Sequence, residues 1–148
     1  MKIETTILKN LLQNEDYARK VLPFLNDEYF TENSDKIVFN QINNFILKYN
    51  SLPNKEALTI ELSDAKITEE DFKDSANLVT AISEDIQEFA DLTWLLDSTE
   101  KFCQDKAIYN AVVESISILD NPKSTADKGA IPEILSDALS VSFDPHVG

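Results

Sequence analysis

Only two glycines, Gly129 and Gly148, occur in 148 residues, and they lie nineteen positions apart. A loop that cradles phosphate needs glycines, because backbone N–H groups must approach the anion without a Cβ in the way. Neither G-x-x-x-x-G-K-[ST] nor G-x-G-x-x-G can be written with this pair. Tight β-hairpins favour Asn-Gly or Asp-Gly, and neither dipeptide is present. The chain is therefore expected to be helical, to bind no nucleotide in a Gly-rich loop, and to work by contacting other proteins.

Charge narrows the partners. There are 13 basic and 27 acidic side chains, a net −14. Residues 1–60 carry 7 basic and 8 acidic groups, residues 61–91 carry 2 and 10, and residues 92–148 carry 4 and 9. Affinity for the DNA backbone comes from Lys and Arg neutralising phosphates, so no direct DNA binding by this segment is expected. The acidity serves solubility, or else offers a docking surface to a basic partner. No apolar run reaches the roughly 18 to 20 residues that span a bilayer, and Met1-Lys2-Ile3-Glu4-Thr5 lacks the apolar stretch of a secretory signal. One cysteine, Cys103, forms no internal disulfide and suits a reducing compartment, so a cytoplasmic location is expected.

Ile3, Ile7, Leu8, Leu11 and Leu12 recur at helical spacing, predicting an amphipathic helix over 3–13. Asn14 is placed to cap a second short helix that carries Tyr17, Ala18, Val21 and Leu22 and stops near Pro23. Residues 27–30 read as a turn with an aromatic anchor. Ser34 is the expected cap of a helix over 35–49 that buries Ile37, Val38, Ile42, Phe45, Ile46 and Tyr49. Asn54 should cap 55–63. Thr68, followed by Glu69, Glu70 and Asp71, should open a helix burying Phe72, Ala76, Leu78, Val79 and Ile82.

From Leu92 to Leu119 there is neither Gly nor Pro, which predicts one long helix. Its expected stripe is Leu92, Leu95, Leu96, Phe102, Cys103, Tyr109, Val113 and Ile116. Its second half is apolar on nearly every side, through Ala107, Ile108, Tyr109, Ala111, Val112, Val113, Ile116, Ile118 and Leu119. A helix that is apolar all round must be covered all round. A polar loop over 122–129 leads to a last helix, expected from Pro132 to Ser142 with Ile131, Ile134, Leu135, Ala138, Leu139 and Val141 as its apolar members. Two antiparallel helices so joined make a hairpin. The last helix covers one side of the long one, which leaves apolar surface for a second copy. Trp94, the lone tryptophan, is either core or an interface anchor.

Catalytic chemistry is hard to assemble from what is present. With one Cys and one His (His146) there is no zinc set and no Ser-His-Asp or Cys-His constellation. No Glu-x-x-His pair exists for a di-metal carboxylate site, and residues 64–74 lack the central glycine of an EF-hand loop. Cys103 sits on the apolar stripe and reads as a buried structural thiol. No catalytic, cofactor-binding or metal-binding residue is assigned, and this chain is expected not to be an enzyme.

The order of residues in the head has a counterpart. Ile7-Leu8-Lys9-Asn10-Leu11-Leu12 is followed by Val21-Leu22-Pro23-Phe24-Leu25 and Asp27-Glu28-Tyr29-Phe30. Ile37-Val38-Phe39 and Ile42 come next, then Tyr49-Asn50-Ser51-Leu52-Pro53 with Ala57-Leu58 behind. This resembles the N-terminal domain of DnaB-type replicative DNA helicases. Thr93-Trp94-Leu95-Leu96 with Thr99-Glu100-Lys101, and 129–134 with 138–144, resemble the branch found in T-even-type phages. The resemblance covers nearly the whole chain.

The resemblance implies an all-α fold: a globular head of short helices over 1–90, a long antiparallel hairpin for self-association over 91–143, and the start of a linker at 144–148. It implies that a RecA-like ATPase domain follows in the parent protein, which would use ATP and Mg²⁺ and unwind duplex DNA at the replication fork. The family's nucleotide and translocation residues have no counterpart here. It also implies a collar role: hairpins pair between subunits, three pairs cap a hexameric ring, and the collar docks primase and, in some members, a helicase loader. Location would be the host-cell cytoplasm for a phage-encoded chain. Tyr109, Val112, Val113, Ile116, Leu135 and Leu139 are the candidate interface residues. A stand-alone acidic phage adaptor or DNA-mimic inhibitor is the alternative, and a carboxylate-metal enzyme a third.

Overall fold

A computed structural model describes residues 2–85, 91–121 and 128–143, and among these it contains helices and turns but no strand. The all-α expectation holds. Seven helices follow in order: α1 (Ile3–Gln13), α2 (Glu15–Val21), α3 (Asn33–Tyr49), α4 (Lys55–Asp64), α5 (Glu69–Glu84), α6 (Leu92–Asp120) and α7 (Ile131–Leu139). Short 3₁₀ turns occupy Leu22–Phe24, Asp27–Tyr29 and Lys128–Ala130. The chain divides into two compact units, Met1–Leu96 and Asp97–Gly148.

In the first unit, short polar side chains set the helix starts. Asn14 Oδ1 accepts the Tyr17 amide at 3.1 Å, Asn54 Oδ1 the Ala57 amide at 2.8 Å, and Thr68 Oγ1 the Asp71 amide at 3.1 Å. Each satisfies a donor the helix itself cannot. α3 departs from expectation. It starts at Asn33, with Glu32 at the cap position and no side-chain cap, and the Lys36 amide donates to the Glu32 carbonyl at 3.1 Å as the first helical bond. α3 ends on Asn50 in the left-handed region, at φ 55°. Asparagine tolerates that conformation where most proteins place glycine. The Arg19 guanidinium holds it by donating to Asn50 Oδ1 at 3.1 Å and to the Asn50 carbonyl at 3.2 Å.

The core of this unit is built from Ile7, Leu8 and Leu11 of α1, Tyr17 and Val21 of α2, Val38, Phe39 and Ile42 of α3, Leu58 and Leu62 of α4, and Val79 and Ile82 of α5. α5 packs on α1, α3 and α4. Phe30, entering from the aromatic turn, stacks on Phe39 with centroids 5.2 Å apart. The buried faces of α3 and α5 differ in part from the expected ones. Tyr49 is exposed, Ile37, Phe45 and Ile46 are half-buried, and Phe39 is buried in their place. On α5 it is Ser75 that is buried alongside Val79 and Ile82, while Phe72, Ala76 and Leu78 are half-buried. Polar ties close the bundle. Gln13 Nε2 donates to the Ile82 carbonyl at 2.6 Å and to that of Asp85 at 3.2 Å, and Lys9 Nζ pairs with Asp85 at 3.3 Å.

The long helix is present as expected, from Leu92 to Asp120, and the Asp91 carboxylate accepts the Trp94 amide at 3.1 Å in its first turn. α7 is shorter than expected. It begins at Ile131, with Pro132 in second place, and ends at Leu139, where the Ser140 amide donates to the Asp137 carbonyl in a tighter closing turn. The polar loop at 122–127 and the 144–148 segment with His146 lie outside the described residues.

Candidate protein–protein interface

The second unit contains α6 from Asp97 onward, and α7. Two bonds bring the end of the α7 segment back to α6. Gln104 Nε2 donates to the Val141 carbonyl at 3.1 Å, and the Phe143 amide donates to Glu100 Oε2 at 2.6 Å. The later residue of one strand of chain pairs with the earlier residue of α6, so the two run antiparallel.

Successive residues of an α-helix are about 100° apart. Glu100, Gln104, Ala111, Ser115 and Ile118 fall along one side of α6 at spacings of three, four or seven. The side that carries the two tethering bonds is thus the side on which Ala111, Ser115 and Ile118 are buried. Its middle is small: Ala111 is 6% exposed, and the Ser115 hydroxyl is satisfied within the helix by donating to the Ala111 carbonyl at 2.8 Å. Small residues permit close approach, and an internally bonded hydroxyl costs little to bury.

Two positions further along the chain is about 200° round the helix. Tyr109, Val113 and Ile116 consequently face away from the tethered side, Val112 lies on its flank, and all four are exposed, Tyr109 at 63%. Ile108 and Leu119, which by the same spacing lie on and beside the tethered side, are exposed too. An ordinary surface helix buries its large apolar side chains and exposes the small polar ones. On this half of α6 Ile118 is buried beside Ala111 and Ser115, yet Tyr109, Val113 and Ile116 are exposed. The expected single buried stripe is corrected accordingly: Leu95, Phe102 and Cys103 are buried, but Tyr109, Val113 and Ile116 are not. Of the α7 candidates, Leu139 is 72% exposed, whereas Leu135 is half-buried. Trp94 is 52% exposed, which removes the core reading for it.

The patch is rimmed by polar groups: Asp105 and Lys106 near one end, and Asp120 near the other. The Lys106 ammonium lies 5.9 Å from the centroid of the Tyr109 ring, within cation–π range. No group of three or more His, Cys, Asp or Glu side chains that could hold a metal ion occurs among the described residues. None of their helices is long and apolar enough to cross a membrane. Burial pushes the Cys103 thiol up to about 12, with the Glu100 carboxylate adding to the rise, so it is a poor nucleophile.

The exposed apolar patch was legible in the residues as an excess of large side chains on α6. Which side of the helix stays uncovered was not, because Ala111 counts there like any other apolar residue and Ser115 does not count at all. They mark the covered side through size.

No protein-family model matches the chain. The DnaB-like replicative helicase of Enterobacteria phage T4 is 33% identical over 150 aligned positions, which take in 96% of this chain and 31% of the helicase. The resemblance carried by the head and tail residues is borne out: this chain is a relative of a DnaB-like replicative helicase, matched along nearly its whole length. It spans about a third of that relative's length, a share consistent with an N-terminal domain.

Proposed function

We propose that this chain is the N-terminal oligomerisation and primase-docking domain, the collar, of a hexameric ATP-dependent replicative DNA helicase, and that it assembles through the outer face of α6. The observation that carries the reading is the exposed apolar face of that helix: Tyr109, Val113 and Ile116 lie in solvent, away from the side on which Ala111, Ser115 and Ile118 are buried. Exposed apolar patches of several hundred Å² mark protein interfaces. The exposed faces of Tyr109, Val112, Val113 and Ile116 amount to roughly 400 Å² per copy, so a pair would bury on the order of 800 Å², the size of a weak contact.

Burial of apolar area stabilises such a pair at about 25 cal/mol per Å², and lost translational and rotational freedom offsets much of it. The isolated domain would then dimerise weakly and in a concentration-dependent way, with the ATPase ring of the parent supplying further contacts. Nucleotide and Mg²⁺ chemistry belongs to that ring on this reading, since two glycines build no phosphate loop here. A collar of several copies presents primase, or a loader, with repeated sites at high local concentration, so that individually weak contacts gain by multivalency. The acidic stretch 61–91 is the proposed docking face. Its carboxylates Glu61, Asp64, Glu69 and Glu70 are exposed on and beside α4 and α5. The setting would be the cytoplasm of the host cell.

Light scattering of the purified chain over a hundredfold concentration range tests the assembly. The expected result is a mass rising from one copy toward two, and a Val113→Asp variant that stays at one copy with an unchanged far-UV helix signal. A wild-type chain that stays at one copy throughout would count against the collar.

A further inference from the structure

The first unit carries an open groove of about 590 Å³ between the end of α2 and the last turns of α3. Leu22, Pro23, Ile46 and Leu47 give it apolar walls, and Arg19 and Asn50 edge it. Ile46, Leu47 and Asn50 share one face of α3 by their spacing. Leu47 is 75% exposed, although it is a large aliphatic side chain.

The local charge is opposite to that of the chain. Residues 17–25 and 43–50 hold Arg19, Lys20 and Lys48 and no carboxylate, in a chain with 27 acidic side chains. Glu15 answers one of the three cations, meeting Arg19 at 2.7 Å. Lys20 and Lys48 are exposed, and neither pairs with a carboxylate among the described residues. Arg19 is held rigidly: its bonds to Glu15 and Asn50 account for four of its five N–H groups. A guanidinium fixed in this way loses little side-chain freedom when a further acceptor arrives.

We propose that this groove docks an acidic amphipathic helix of a partner protein, its apolar face on Leu22, Pro23, Ile46 and Leu47 and its carboxylates toward Arg19, Lys20 and Lys48. A small ligand suits the place poorly. Such ligands are held with roughly 70–90% of their surface buried, and a wall residue that stands mostly in solvent marks a furrow, not an enclosed cavity. An amphipathic helix needs only a furrow that receives apolar side chains spaced by three and four. The rim charge sets the sign of the partner. The remainder of a −14 chain repels an acidic peptide, so affinity must come from these cations and the apolar walls. The groove shares no residue with the acidic stretch 61–91, whose charge selects a basic partner.

A short fluorescein-labelled synthetic helix, with Leu at spacings of three and four and Glu elsewhere, is the probe. The same peptide with Lys in place of every Glu is its control. Anisotropy with the whole chain should show the Glu peptide binding, and more weakly as salt is raised. Leu47→Asp should weaken it about tenfold or more, as loss of an apolar anchor does. The double variant Lys20→Glu/Lys48→Glu should weaken it about threefold to tenfold, as expected for charges at a solvated rim. All three positions are exposed, so the far-UV helix signal should not change. The Lys peptide, drawn to the acidic surface, should bind both variants at least as tightly as the wild type. Amide shifts induced by the Glu peptide should centre on 19–23 and 43–50.

A Glu peptide that fails to bind, that binds Leu47→Asp as tightly as the wild type, or that shifts amides of α6 instead would overturn the proposal. So would a Leu47→Asp variant of lower mass than the wild type in light scattering at equal concentration, since a second copy would then be the occupant. The α6 contact is untouched by any of these variants, so its failure and that of the groove are read separately.

Discussion

The side-chain amide of Gln104 donates to the main-chain carbonyl of Val141 at 3.1 Å, and one turn earlier Glu100 accepts the Phe143 amide at 2.6 Å. These two bonds tie the return segment to α6 just past the end of α7. A helix of nine residues is marginal by itself and depends on such tertiary support. Gln104→Ala leaves the Val141 carbonyl without this partner and should cost about 1 kcal/mol. The loss should be local. Hydrogen exchange at 131–143 should speed up several-fold while amides of α1, α3 and α5 keep their protection. Uniform loss of protection along the chain would show that the tether supports the whole fold instead.

Asp35 is a buried carboxyl in the first turn of α3, and its Oδ2 has no hydrogen-bond partner. The nearest cation, Lys2 Nζ, is 4.0 Å away on a side chain that is itself more than half exposed. Burial pushes the Asp35 carboxyl up, Lys2 pulls it back, and Glu4 and Glu32 add to the rise. The net direction is upward, so desolvation outweighs the pull of Lys2. The folded chain therefore holds this proton more tightly than the unfolded chain does. The resulting stabilisation is full below the ordinary value of 3.8 and is lost as pH rises through the elevated folded value. Asp35→Asn removes the ionised form altogether. It should melt at a higher temperature than the wild type at pH 7, and the advantage should shrink as pH falls toward 4. A lower melting temperature at pH 7 would mean that the Lys2 pair outweighs burial.

Cys103 is fully buried on α6, and burial with Glu100 nearby pushes its thiol up to about 12. The thiolate is the reactive species. At pH 8 an aromatic disulfide reagent should therefore label no thiol in the native chain and one per chain in concentrated urea. The sign of the linkage is that of a raised acid: the neutral thiol's contribution holds at neutral pH and is lost between about 9 and 12, as the unfolded and then the folded thiol ionises. A Cys103→Ala variant should lose less stability than the wild type over that interval, read from urea midpoints.

The helix starts were legible where one side chain carries the signal. Asn14, Asn54 and Thr68 each do what a short polar side chain ahead of an apolar run does, and each makes the bond expected of it. At α3 the expected cap, Ser34, lies inside the helix, which starts at Asn33 without a side-chain cap. The end of α7 was overrun by three residues, since no Gly or Pro marks it and the closing turn forms through Ser140. Burial was read least well where size and polarity disagree. Ser75 and Ala111 are inside although one is polar and the other small, and Tyr49 and Tyr109 are outside although they are aromatic. The candidate interface fell between these cases. Its residues were visible as a surplus of large apolar groups, and its direction was set only by where the return segment attaches.

That direction can be read out with one substitution on each side of α6. Ala111 lies on the tethered side, buried and small, whereas Ile116 lies on the far side, exposed and large. Ala111→Leu forces three extra carbons into a close contact and should cost about 1–3 kcal/mol of stability. Dimerisation should suffer only as far as the hairpin itself is disturbed. Ile116→Ser removes apolar surface already in water, so the stability of the monomer should shift by no more than about 0.5 kcal/mol. Its dimer, however, should weaken about tenfold or more, because burial of the isoleucine side chain against the second copy is lost. Urea midpoints at low concentration and sedimentation at high concentration separate the two effects. If the pattern were exchanged, with Ile116→Ser unfolding the chain and Ala111→Leu merely splitting the dimer, the two faces of α6 would have been assigned the wrong way round.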